Sequence, residues 1–88
     1  MTHITGKRHL LNGLIRLYAR EKRLDYNRAW LDFKTMFRRT YRVDLDDAMD
    51  RFERERRKRV NMPAYLEEVG RLDDAIRVAG NLAERKVW

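Results

Sequence analysis

The sequence predicts an all-α fold: a compact bundle of four helices, or five if Gly70 divides the last segment. Three observations predict it. Apolar residues recur at three- and four-residue spacing, the mark of helices buried along one face. No stretch alternates apolar and polar residues as a half-buried strand would. Capping residues stand where the periodic segments begin: Asp25, then Asp44 or Asp46, then Asn61 with Pro63 in the following turn. A length of 88 residues fits one domain spanning 1–88. A chain this short buries roughly 60–65% of its unfolded surface, so its core is small.

The first helix is expected over about Lys7–Arg23, with Leu10, Leu11, Leu14, Ile15 and Tyr18 as its apolar stripe. Gly13 inside it costs about 1 kcal/mol relative to alanine. The second opens on Asp25 and carries Tyr26, Ala29, Trp30, Phe33, Met36, Phe37 and Tyr41. This aromatic set can be read as stacking platforms for bases, but its helical spacing assigns it to the core. The third helix follows RVDL and presents Leu45, Ala48, Met49 and Phe52 on one face. Asp44, Asp46, Asp47 and Asp50 suit the positive end of its dipole. They lack the glycine and ligand spacing of a calcium loop. A fourth segment carries Tyr65, Val69, Leu72, Ile76, Ala79 and Ala83 at heptad-like spacing. Trp88 at the chain end either pins this helix or marks a contact surface.

Little in the chain promises catalysis. Cysteine, serine and glutamine are absent, which removes thiolate metal sites, disulfides and the commonest nucleophiles. His3 and His9 are six apart and do not share a helical face, so neither a metal pair nor a catalytic dyad is expected. There is no glycine-rich phosphate loop. We therefore expect a protein that is not an enzyme and needs no metal or other cofactor. Charge interrupts the N-terminal apolar residues every few positions, so neither a signal-peptide core nor a membrane span is expected. The expected place is the cytoplasm.

The net charge is +7, and it is unevenly distributed. Residues 1–60 hold 17 Lys/Arg against 9 Asp/Glu, whereas residues 61–88 hold 4 against 5. Such asymmetry points to an acidic partner for the first two-thirds, nucleic acid foremost. The dominance of arginine favours bidentate contacts to phosphate or carboxylate.

The densest run is RFERERRKRV, residues 51–60. Continued helix would pair Asp47 with Arg51, Asp50 with Arg54, Glu53 with Arg57 and Glu55 with Arg59, each contributing about 0.2–0.5 kcal/mol. Arg56 and Lys58 have no acid four residues earlier. The apolar face also stops at Phe52, so the last turns are expected to project beyond the core or lie under something else. The candidate contact residues for DNA, RNA or an acidic protein are Arg51, Arg54, Arg56, Arg57, Lys58 and Arg59, with Arg20 and Arg23 assisting from the first helix. Lys7, Arg8, Arg16, Lys22, Arg38, Arg39 and Arg42 form a wider basic set. With no Asn or Gln among the arginines to read adenine, binding is expected to be electrostatic and nonspecific.

Two stretches carry a resemblance. HLLNGLIRLYAREKRLDYNRAWLDFKTMFRRTYRVDL resembles the helical C-terminal modules of bacteriophage antirepressor-type proteins, through its leucine-rich helix, Tyr-x-x-Ala-Trp segment and Tyr-x-Val-Asp-Leu close. MPAYLEEVGRLDDAIRVAGNLAE is similar to helical tails of phage and prophage proteins. The resemblance covers most of the chain. It implies an origin in a phage or mobile element and action inside a bacterial host cell.

The leading expectation is a small phage-type regulatory protein that binds nucleic acid or a nucleoprotein complex through an arginine-rich helical face. The alternative is a phage-encoded inhibitor or adaptor that docks on a host protein, such as a defence nuclease or a polymerase, without binding nucleic acid itself. A third reading is a homodimer formed through a seam of Val69, Leu72, Ile76 and Ala79.

Overall fold

The computed structural model describes residues 3–84, with side chains from Gly6 to Ala83. The end of the chain that carries Trp88, and the side chain of His3, lie outside the described residues. Five helices follow one another: α1 (His3–Lys22), α2 (Tyr26–Tyr41), α3 (Leu45–Arg56), α4 (Met62–Glu68) and α5 (Leu72–Glu84). No strand is present among the described residues. The fold is all-α, and the larger count of helices holds.

Helix α1 is the axis of the molecule. It packs along α5 and is also touched by α2 and α4, while α3 leans on α2. Lys7 Nζ lies 2.9 Å from Asp73 Oδ1, tying the first turns of α1 and α5 together.

One cluster of buried side chains joins all five helices. On α1 the buried line is Leu11, Ile15 and Ala19, with Leu14 and Tyr18 partly covered, while Leu10 is half exposed. The expected stripe thus holds except for Leu10, and Ala19 extends it. On α2, Ala29, Phe33 and Phe37 are fully buried, and Phe33 meets Trp30 edge-on at 5.3 Å. Helix α3 contributes Leu45 and Phe52, and Phe52 packs edge-on against Tyr65 of α4 at 5.3 Å. Burial pushes the Tyr65 phenol pKa up, partly opposed by the charges of Arg71 and Arg51.

The helix starts agree with the capping signals. The side chains of Asp25, Asp44 and Asn61 accept from the backbone N–H of Arg28, Asp47 and Ala64 at 2.9, 3.2 and 2.9 Å. The ends carry a different signature. Helices α1, α2 and α3 each stop on an arginine with positive φ: Arg23 at 57°, Arg42 at 62° and Arg57 at 55°. A non-glycine residue pays about 1–2 kcal/mol for that conformation. Its positive charge at the negative end of a helix returns about 0.3–1 kcal/mol.

The expected seam through the fourth segment is broken. Gly70, at φ 73°, ends α4, and the Arg71 N–H closes the turn on the Leu66 carbonyl at 2.7 Å. The break resets the helical phase. Val69 falls on the surface at 41% exposure, Leu72 and Ala79 enter the core, and Ile76 is partly covered. The buried line of α5 is Leu72, Ala75, Val78, Ala79 and Leu82. A continuous dimer seam of Val69, Leu72, Ile76 and Ala79 therefore does not exist on the surface of this fold.

The break has a test whose sign is informative. In a continuous helix, Gly70→Ala would stabilise by about 1 kcal/mol. At a left-handed position it is expected to destabilise by about 1 kcal/mol instead. Urea unfolding of the two proteins distinguishes these, and a raised midpoint would contradict the split.

Candidate nucleic-acid interface

The run RFERERRKRV is not one helical face. Helix α3 ends at Arg56, and Arg57 turns left-handed, with its N–H on the Glu53 carbonyl. The helical part neutralises itself. Arg51 Nη2 sits 2.7 Å from Asp47 Oδ2, and Arg54 Nη2 sits 3.1 Å from Asp50 Oδ2, as the spacing predicted. The Asp47 hydrogen bond and charge raise the Arg51 pKa, so its charge is held more firmly.

The two later pairs do not form, because the helix stops before it can align them. Glu53 Oε2 instead accepts the Val60 backbone N–H at 2.9 Å, closing the turn that leads toward α4. Arg57, Lys58 and Arg59 lie in that turn, fully on the surface, with no acidic partner among the described residues. Arg56 is also exposed, and its guanidinium rests 4.9 Å from the centroid of the Phe52 ring. It thus has a packing role beside any binding role. The result is a tight basic turn of Arg57, Lys58 and Arg59 next to Arg56 in the last position of α3, not an arginine-lined helix.

The wider basic set is dispersed. Lys7 is bound to Asp73, and Arg8 Nε donates to Glu67 at 2.6 Å, so both serve to fasten α1 to its neighbours. Arg38, Arg39 and Arg42 close α2, about 20 Å along the axis from its first turn. Arg20 and Arg23 are exposed at the far end of α1. The α1 cation that meets α2 is Arg16, over the Tyr26 ring, beside a feature that the sequence did not offer.

That feature is an open groove of about 290 Å³ lined by Asn12, Tyr26, Trp30, Asn61, Met62 and Pro63. Its walls come from the middle of α1, the first turns of α2, and the segment that follows the basic turn. Tyr26 is 40% exposed and stands edge-on to Trp30 at 6.1 Å. The Tyr26 hydroxyl donates to Asn12 Oδ1 at 3.3 Å, and the Arg16 guanidinium lies 6.0 Å from the Tyr26 ring centroid. Assigning all the α2 aromatics to the core was correct for Phe33 and Phe37 but missed the exposed edge that Tyr26 brings to this groove. Comparison with protein-family models, curated proteins and solved structures finds no match to the chain.

Proposed function

We propose that this is a small phage-type regulatory protein that binds nucleic acid, or a nucleoprotein complex, through its basic turn. The observation that carries the binding is the row Arg56, Arg57, Lys58 and Arg59: four adjacent exposed cations, with no ion pair to an acid among the described residues. The phage-type regulatory part rests on the sequence resemblance.

An exposed basic turn of this kind suits phosphates. Guanidinium groups offer forked donors that match phosphate oxygens, and Lys58 adds a point charge. Such contacts carry no base code, so the binding is electrostatic and releases counterions.

Fluorescence anisotropy with short labelled single- and double-stranded DNA and RNA tests it across a salt series. The expected result is submicromolar affinity at physiological salt, with log affinity falling linearly as log salt rises. Affinity no tighter than ~100 µM, the weak end of nonspecific association, would remove the reading and turn the search toward an acidic host protein.

A further inference from the structure

We infer that the Tyr26–Trp30 groove is a stacking site for one unpaired nucleobase, so that the preferred ligand is single-stranded. The inference rests on the nucleic-acid reading of the basic turn and specifies which form of nucleic acid the turn serves.

Size comes first. A volume of about 290 Å³ lies at the small end for ligand pockets, roughly 300–1,000 Å³. It accepts one planar group and not a helix or a duplex groove. The lining is of the right chemistry for a base: aromatic through Tyr26 and Trp30, and apolar through Met62 and Pro63. Every base has a π-face, so such a platform holds an extruded base whatever its identity.

Hydrogen-bonding capacity is left over at the rim. Asn61 spends its Oδ1 on the Ala64 N–H, which turns its amide nitrogen away from the helix. Asn12 spends its Oδ1 on the Tyr26 hydroxyl. Neither amide nitrogen has an acceptor among the described residues. Two amide donors beside an aromatic wall match the carbonyl and ring-nitrogen acceptors on base edges.

Charge is adjacent by chain connectivity. Lys58 and Arg59 precede Asn61 by three and two residues, which keeps their backbones within about 11 Å of the groove wall. Arg16 stands over the Tyr26 ring, 6.0 Å from its centroid. A strand with one base in the groove thus has cations close by for its flanking phosphates. In a duplex the same base is paired and stacked, so entry would require flipping it out.

The test uses the whole chain with labelled oligo-dT, oligo-U and a duplex of matched length, at one physiological salt concentration. Tyr26→Leu removes the ring and keeps an apolar side chain, while Tyr26→Phe keeps the ring. We expect Tyr26→Leu to weaken both single strands by roughly tenfold, with little change for the duplex, and Tyr26→Phe, which keeps the ring but loses the hydroxyl that holds Asn12, to weaken them less than Tyr26→Leu does. Comparing oligo-dT with oligo-U shows whether the strand taken is DNA or RNA, since only the sugar and one methyl group differ. Quenching of tryptophan fluorescence by the single strands, lost in Trp30→Leu, is the second expected signal. Circular dichroism and thermal melts confirm that the variants fold. Unchanged single-strand affinity in folded Tyr26→Leu overturns the groove and leaves the basic turn standing. Absence of binding by any oligonucleotide to the parent protein removes both.

Discussion

Replacing Phe33 with alanine is expected to cost about 3–5 kcal/mol of stability. A protein of this length has about 4–13 kcal/mol in total, so Phe33→Ala removes much of what holds it folded. The size of the effect comes from position. Phe33 has no exposed surface and stands between Trp30 at 5.3 Å and Phe37 at 5.9 Å, so its loss opens a cavity that neighbours on both sides help define. Leu31, on the same helix and 50% exposed, is the control, and Leu31→Ala should shift stability by no more than about 0.5 kcal/mol. Equilibrium urea unfolding reads both, with an unchanged m-value showing that only stability has moved. A smaller midpoint shift for Phe33→Ala than for Leu31→Ala would mean that the core is not organised around α2. The same contact reaches the groove: Phe33 packs edge-on against Trp30 from within the core, and Trp30 lines the groove.

The particular elements show why some of this was legible in sequence and some was not. Helix α2 was legible because two local signals agree: Asp25 caps its start, and Ala29, Phe33 and Phe37 recur at helical spacing. The Asp47–Arg51 and Asp50–Arg54 pairs were legible because both partners lie within one helix. Helix ends were harder. Arg23, Arg42 and Arg57 occupy backbone positions that glycine usually fills, and an arginine in a basic sequence announces no stop. The end of α3 was therefore missed, and with it the change of the last cations from a helix to a turn. The heptad-like spacing continues across Gly70, so it picks out Val69 and Ile76 and passes over Ala75, Val78 and Leu82. The groove was out of reach for a different reason. Its walls come from residues 12, 26, 30 and 61–63, and no local pattern reports that three distant segments converge.

The arrangement of the charges yields a sharper test than their number. Arg51→Gln/Arg54→Gln and Lys58→Gln/Arg59→Gln change the net charge equally. If nucleic acid responds only to the overall field of a protein carrying +7, the two pairs should weaken binding alike. The structure separates them. Arg51 and Arg54 already spend their charge on Asp47 and Asp50, whereas Lys58 and Arg59 extend from the turn with no acidic partner among the described residues. The turn pair is therefore expected to lose at least about tenfold in affinity at physiological salt. It should also flatten the dependence of log affinity on log salt by about 1.4–1.8 units, as two lost phosphate contacts require on single or double strands. The helix pair should lose less than about threefold and keep its slope, because its cations make few contacts to give up. Lys58 and Arg59 are the better choice over Arg56, whose guanidinium covers Phe52 and whose loss would mix packing with binding. Equal losses from both pairs would show that the turn is not a grip but one part of a diffuse field. A loss confined to Lys58→Gln/Arg59→Gln would place the contact on the turn.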